Sequence, residues 1–320
     1  MTPLNSMTDR LSSRCWLGRA PAKVNLFFEI LGKRPDGYHD VCSLCCPVSL
    51  YDTLIFEPTD EPGVTLTCKP GRLRQTVCDI PTDEGNIVVR AVEHIRQHYG
   101  ITAGCRIRLI KRIPSQAGMG GGSSDAATAI RLASEAWNLR LSAEEMKTIG
   151  AALGSDVPLF FFNGMSLGYG RGERVEPVES RMRLDFVILK PVGGISTAEA
   201  FRQCAAHRTT DDNNEEESRQ LPDQLIQGLR EGDPRRMVAG LFNRLEGTAR
   251  DLFPPMREIR EFFARQDCPG HQMTGSGTAY FAVCRHEKQA RLLAERVRQR
   301  YPAGDVFVVH SLVHRETRGQ

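Results

Sequence analysis

Hydrophobic and polar positions change their spacing several times along this chain, and each change marks an element. Residues 20–57 read as β structure: AKVNLFFEILG alternates and is rich in β-branched and aromatic residues, PDGYH interrupts it as a turn, and CSLCCPVSLYDTLIFE resumes the strand pattern. Residues 86–98 switch to helical spacing, with Ile87, Ala91 and Ile95 on one face. Cys105, Ile107 and Leu109 then alternate with Arg106 and Arg108, which predicts a strand buried on one face. An alanine-rich helix follows, its start open to capping by Ser123, Ser124 or Asp125. Ser142 and Glu145 form a capping box for the next helix, with a buried stripe of Met146, Ile149 and Leu153 and a stop at Gly154. The apolar run Leu159 to Phe162 suits a buried strand or turn.

Beyond about residue 183 the pattern describes a second unit. RLDFVILKP predicts a strand, 234–248 and 254–265 predict helices, and HQMTGSGTAYFAVC predicts two strands around a glycine turn. Ala290, Leu293, Ala294 and Val297 line a last amphipathic helix, and DVFVVHSLV is a final strand. This order predicts helices on one face of a mostly antiparallel sheet. Residues 207–222 are polar and acidic, and read as a disordered surface insertion whose removal leaves turnover near normal. The expected domains are 15–182 and 183–315.

A chain of 320 residues suits two domains, and 40% hydrophobic with 25% charged residues is ordinary for a folded protein. Lys and Arg number 42 against 39 Asp and Glu, a balance that gives no basic stripe for nucleic acid. No apolar run approaches the ~20 residues of a membrane span. Residues 1–20 lack the apolar core of a secretory signal, and Asp9 argues against an organelle address despite Arg10, Arg14 and Arg19. The leader reads as disordered and the compartment as a bacterial-type cytoplasm. Ten cysteines without such a signal read as reduced thiols, and the group Cys42, Cys45 and Cys46 as small buried thiols rather than half a zinc site.

The strongest chemical signal is PSQAGMGGGSSDAA, where Gly118, Gly120, Gly121 and Gly122 lie between a strand and a helix. Glycine permits positive φ and close backbone approach, so successive N–H groups can face an anion at the start of a helix. No lysine follows the glycines as a Walker loop requires, and the register from Gly118 puts Ser123 where a dinucleotide fingerprint needs its third glycine. GYGRGE at 168–173 reads as a hairpin turn, and TGSG at 274–277 by itself as a turn between strands. Taken alone, Lys23 reads as a solvated strand lysine and Asp156 as a helix cap.

The loop resembles the P-x-x-x-G-L-G-S-S motif of the GHMP small-molecule kinases, with Met119 at the usual leucine. PAKVNLFFEILGKRPDGYHDV (21–41) and LGSDVPLFFFNG (153–164) resemble the two signatures of that family's 4-diphosphocytidyl-2-C-methyl-D-erythritol kinases, and TGSGTAYF (274–281) is similar to its C-terminal glycine motif. The resemblance runs from residue 20 to about 312. It implies an α+β, two-domain GHMP kinase fold with a ribosomal-protein-like N-terminal domain and a ferredoxin-like C-terminal domain. It implies ATP with Mg²⁺, and phosphorylation of the 2-hydroxyl of the cytidylyl substrate. Three departures stand out: the longer leader, the acidic insertion close to Phe201, and Ser115-Gln116-Ala117 in place of a more glycine-rich run.

Carried over by motif, Lys23 and Asp156 are the implied catalytic pair. Asn25, Tyr38, His39, Thr197 and Phe201 are the implied substrate contacts. Asn86, Lys111 and the run Pro114, Ser115, Gln116, Ala117, Gly118, Met119, Gly120, Gly121, Gly122, Ser123 and Ser124 are the implied ATP contacts, with Ser124 a candidate Mg²⁺ ligand. Asp156 is the expected base, and Lys23 would keep it ionised, lower the hydroxyl pKa or stabilise the transferred group. The alternatives are another GHMP kinase of the mevalonate or homoserine type, and a non-enzymatic RNA-binding module. The expected state is a monomer or weak homodimer without nucleic-acid or membrane partners.

Overall fold

Strand pairing along two long strands sets the framework. The computed structural model describes residues 8–12, 15–35, 37–71, 73, 80–162, 164–170, 172, 174–207 and 222–312. The chain forms two compact units: Met1–Ala22, Leu50–Ser115 and Gly120–Phe162 in one, and Lys23–Ser49, Gln116–Met119 and Asn163–Gln320 in the other. This division is interleaved where the sequence suggested one boundary after 182. The reason lies in β2 (Cys15–Lys33) and β3 (His39–Thr59), strands of 19 and 21 residues whose two halves pair with different neighbours.

In the first unit the strand order is β1-β2-β3-β5-β4, with β1 at Thr8–Ser12, β4 at Val64–Pro70 and β5 at Gly104–Lys111. β1 pairs antiparallel with Cys15–Gly18, so part of the expected disordered leader is an edge strand. A backbone ladder orders it, a cause that leaves little hydrophobic pattern in the sequence. β5 keeps the expected alternation, with Arg106 and Arg108 exposed and Cys105, Ile107 and Leu109 buried. Helix α1 (Ile87–His98) buries Val88, Val89, Ala91, Val92 and Ile95. α2 (Gly121–Ala136) is buried over much of its length, and α3 (Ala143–Leu153) carries the predicted Ser142–Glu145 capping box and ends at Gly154. The Leu159–Phe162 run forms most of a 3₁₀ turn at Pro158–Phe161.

In the second unit β6 (Ser166–Gly170) and β7 (Arg174–Pro177) form the predicted hairpin, and β6 continues onto Val41–Cys45. A separate antiparallel sheet has the order β10-β11-β8-β12, built from β8 (Asp185–Lys190), β10 (Gly270–Met273), β11 (Tyr280–Cys284) and β12 (Asp305–His310). The helices are α4 (Thr197–His207), α5 (Asp223–Glu231), α6 (Pro234–Ala239), α7 (Leu245–Leu252), α8 (Pro255–Ala264) and α9 (Glu287–Arg300). A core of Val187, Leu189, Ile259, Phe263, Ala282 and Leu293 joins this sheet to the helices. The predicted helix 234–248 is in fact broken. Asp233 caps α6, which closes at Gly240, and β9 (Phe242–Asn243) pairs in parallel with Phe27–Phe28 before α7 begins. The acidic segment at 207–222 falls, from 208 to 221, outside the described residues.

Candidate active site

In the first unit the glycines Gly120, Gly121 and Gly122 open α2. Gly120 adopts a left-handed conformation, φ 68°, and no side chain caps α2. The structure therefore overturns the expectation that Ser123, Ser124 or Asp125 caps this helix. The first-turn N–H groups of a helix have no partner inside it, so an uncapped glycine start leaves them to an anion. Gly121 cannot take a side chain without crowding, since a Cβ there would lie 3.2 Å from the Lys111 Nζ and 3.0 Å from Ile113. Gly122 is exposed, Ser123 is half-buried, and Pro114 is buried beside exposed Ser115. Ser124 is fully buried and its hydroxyl has no hydrogen-bond partner among the described residues.

Behind the loop lies a buried triad. The Lys111 ammonium is bonded to Asp52 and, at 2.7 Å, to Asp125 in the first turns of α2. The other oxygen of Asp52 accepts the main-chain N–H groups of Arg112 and of Ile113, the latter at 2.9 Å. Burial alone would lower the Lys111 pKa, but the carboxylates of Asp125 and Asp52 outweigh it and raise it. Burial pushes Asp125 up to about 8 against the pull of the Lys111 ammonium. The Lys111 ammonium thus lies between two buried acidic side chains rather than projecting into solvent. Asn86 is the N-cap of α1: its Oδ1 accepts from Val88 N at 2.9 Å, and its Nδ2 donates to the Pro81 carbonyl at 2.7 Å. Asp156 sits half-buried in the turn between the end of α3 and Pro158.

The second unit gathers a different set. Lys23 is only 4% exposed, so the reading as a solvated lysine fails. Its main-chain N–H donates to the Met119 carbonyl at 3.0 Å, and its ammonium donates to Asn25 Oδ1 at 2.5 Å. Asn25 Nδ2 donates to Ser43 Oγ at 2.6 Å and to Cys45 Sγ at 3.4 Å. Cys42, Cys45 and Cys46 are buried free thiols, and burial pushes Cys42 up to about 12. Ala117 and Met119 are buried, while Gln116 has φ 50° and Gly118 φ 69°. A Cβ on Gly118 would collide with the Thr274 carbonyl oxygen. Tyr38 is 51% exposed, unlike most of the large hydrophobic side chains described. The His39 ring lies 5.2 Å from that of Phe201, and Thr197 Oγ1 lies 2.8 Å from Ser276 Oγ.

Residues 86–164 match the GHMP kinases N-terminal domain and residues 225–303 the GHMP kinases C-terminal domain. A 4-diphosphocytidyl-2-C-methyl-D-erythritol kinase of Pelotomaculum thermopropionicum is 36% identical over 280 residues, covering 88% of this chain and 93% of that protein. The chain belongs to the GHMP kinase family. A crystal structure of 4-(cytidine 5'-diphospho)-2C-methyl-D-erythritol kinase, 29% identical, superposes with a TM-score of 0.76 over 93% of this chain and 100% of the other. The homoserine kinase of Cytophaga hutchinsonii, 17% identical, superposes with a TM-score of 0.71 over 97% of this chain and 98% of that one, so it shares the fold. The α+β GHMP kinase fold read from the motifs is therefore correct.

Several residues of this GHMP kinase were not singled out in the sequence. Asp52 lies inside the apolar strand run SLYDTLIFE, and an acidic residue facing the core of a strand was its only signal. The sequence offers Asp125 only as a candidate helix cap. Asn243, 8% exposed, donates through Nδ2 to the Met273 and Gly275 carbonyls and fixes the TGSG turn. No local pattern marks it.

Proposed function

We propose that this GHMP kinase transfers the γ-phosphate of ATP to the 2-hydroxyl of 4-diphosphocytidyl-2-C-methyl-D-erythritol. The observation that carries the reading is the match, over 88% of this chain and 93% of the relative, to a protein named for that kinase. The uncapped start of α2 supports it, because fixed backbone dipoles suit a triphosphate. In this reading Asp156 accepts the hydroxyl proton. The freed oxygen attacks the γ-phosphorus while the bond to the bridging oxygen breaks, and ADP leaves with that electron pair. Lys23 meets the negative charge on the transferred group. Tyr38, His39 and Phe201 take the cytosine, Thr197 adds a polar contact, and Asn25 stands beside Lys23. Asn86, Lys111 and the run 114–124 line or brace the ATP side.

Mg²⁺ enters as the partner of ATP, whose charge it neutralises. The orphaned hydroxyl of Ser124 fits it as a single protein ligand. Among the described residues no group of three or more His, Cys, Asp or Glu could hold a metal, so phosphate oxygens and water would supply the other ligands. The described residues contain no helix long and apolar enough to cross a membrane. We assign the activity to a bacterial-type cytoplasm and to a monomer or weak homodimer without nucleic-acid partners.

The test is an ADP-release assay with Mg-ATP that offers the cytidylyl substrate beside mevalonate and homoserine. Turnover is expected with the cytidylyl substrate alone, and Asp156→Asn should lose about 10²–10⁴-fold in kcat while still binding ATP. Turnover with another alcohol would overturn the roles of Tyr38 and His39. Full activity in Asp156→Asn would remove the base.

A further inference from the structure

The hydrogen bonds around the first residue of the TGSG turn give that turn a task. Thr274 is fully buried. Its Oγ1 accepts the main-chain N–H of Asn25 at 2.9 Å, and its own proton faces two acceptors, Asn25 Oδ1 at 3.2 Å and the Gly118 carbonyl at 3.3 Å. Asn25 in turn has its whole hydrogen-bonding capacity in use. Oδ1 meets Lys23 and Thr274, and the two Nδ2 protons go to Ser43 and Cys45. A group so fully engaged orients its neighbours. The close fit is general here: a Cβ on Gly275 would lie 2.9 Å from the Gly118 carbonyl and 3.2 Å from Asn25 Oδ1.

We infer that Thr274 is a positioning residue, whose hydroxyl locks Asn25 so that its amide oxygen holds the Lys23 ammonium, and ties that arrangement to the Gly118 carbonyl of the glycine loop. On this inference Asn25 acts through Lys23 rather than as a direct substrate ligand. Replacing the hydroxyl by a methyl leaves the Asn25 N–H without an acceptor and Oδ1 with one donor fewer. The amide keeps its bonds to Ser43, Cys45 and Lys23 but loses the contact that fixes its tilt, so its hold on the Lys23 ammonium loosens.

The role of Lys23 in turnover rests on the proposed function, so the test carries a readout independent of activity. Full-length wild type, Thr274→Val and Thr274→Ser are treated with a limiting amine-acylating reagent, and labelling of the Lys23 ε-amine is followed by peptide mass spectrometry. Thermal unfolding of each protein is recorded alongside. Lys23 in the valine variant should be labelled at least threefold faster than in wild type, with the serine variant within 1.5-fold of wild type. In the assay above, kcat of the valine variant should fall about tenfold or more, with KM for the alcohol changed less than threefold, and serine should restore it. Unchanged labelling in a folded valine variant, or a serine variant that behaves like valine, overturns the inference. Should the valine variant not fold, Thr274→Ala replaces it under the same criteria. Absence of turnover in wild type itself would count against the proposed function alone, because the labelling still decides the role of Thr274.

Discussion

Asp52→Asn is the sharpest probe of how the glycine loop is held. The asparagine keeps the shape and one acceptor oxygen for the N–H groups of Arg112 and Ile113. Toward the Lys111 ammonium, however, it presents a second donor in place of a carboxylate oxygen. Losing one charge-assisted bond costs about 1.5–3 kcal/mol, and removing one partner from a buried ion pair about 3–5 kcal/mol. Asp125 stays 2.7 Å from Lys111, and removal of the Asp52 charge that helps raise its pKa lets it ionise against the ammonium, so the lower end applies, about 3 kcal/mol. At about 2–4 °C per kcal/mol for a chain of this order, the midpoint of thermal unfolding should drop by about 6–12 °C. Circular dichroism melts at pH 7 measure it. The double variant Asp52→Asn with Lys111→Met removes the stranded charge as well, and should lose less than the two single variants summed, by about 1 kcal/mol or more. A single-variant shift below about 2 °C, or simple additivity, would refute the triad as the brace of the loop.

Two further outcomes follow from the same region. Ser124 carries a buried hydroxyl without a partner, so Ser124→Ala should leave the ligand-free protein as stable as wild type or more so, by up to about 1 kcal/mol. The same variant should weaken Mg-ATP binding about tenfold by calorimetry; a destabilised protein with unchanged Mg-ATP affinity would contradict the assignment. Asp125 gives a pH signature. Its folded value near 8 lies above the ordinary carboxylate value of about 4. The folded state therefore holds a proton through that window that the unfolded chain has released, and the Asp125 contribution to stability is lost as pH rises from about 4 to 8. Asp125→Asn is neutral throughout, so relative to wild type it should gain stability on going from pH 5 to pH 8.5. Urea unfolding at the two pH values measures this, and a difference that does not move with pH rules it out.

The elements that local periodicity can specify were legible in the sequence. Ile95, Cys105, Ile107 and Leu109 announced their burial by spacing, Ser142 and Glu145 announced a helix start, and the glycines between β5 and α2 announced the tight turn into α2. Each of these signals lies within a few residues, where backbone geometry and side-chain direction are fixed locally. The ordered motifs also carried the family, because Lys23, the loop, Asp156 and the TGSG turn keep their spacing. Partnerships between residues distant in the chain were decided only by the tertiary structure. Asp52 meets Lys111 across 59 positions, and Asn25 meets Thr274 across 249. The same holds for the breaks in local pattern. Residues 234–248 carry helical spacing, yet Phe242 and Asn243 leave it to pair with β2. Thr8–Ser12 lacks a strong pattern, yet it joins an edge. A lone buried charge, or a two-residue strand, takes its meaning from a partner that no local window contains, since the low-dielectric interior makes an unpaired polar group far more costly than a broken propensity.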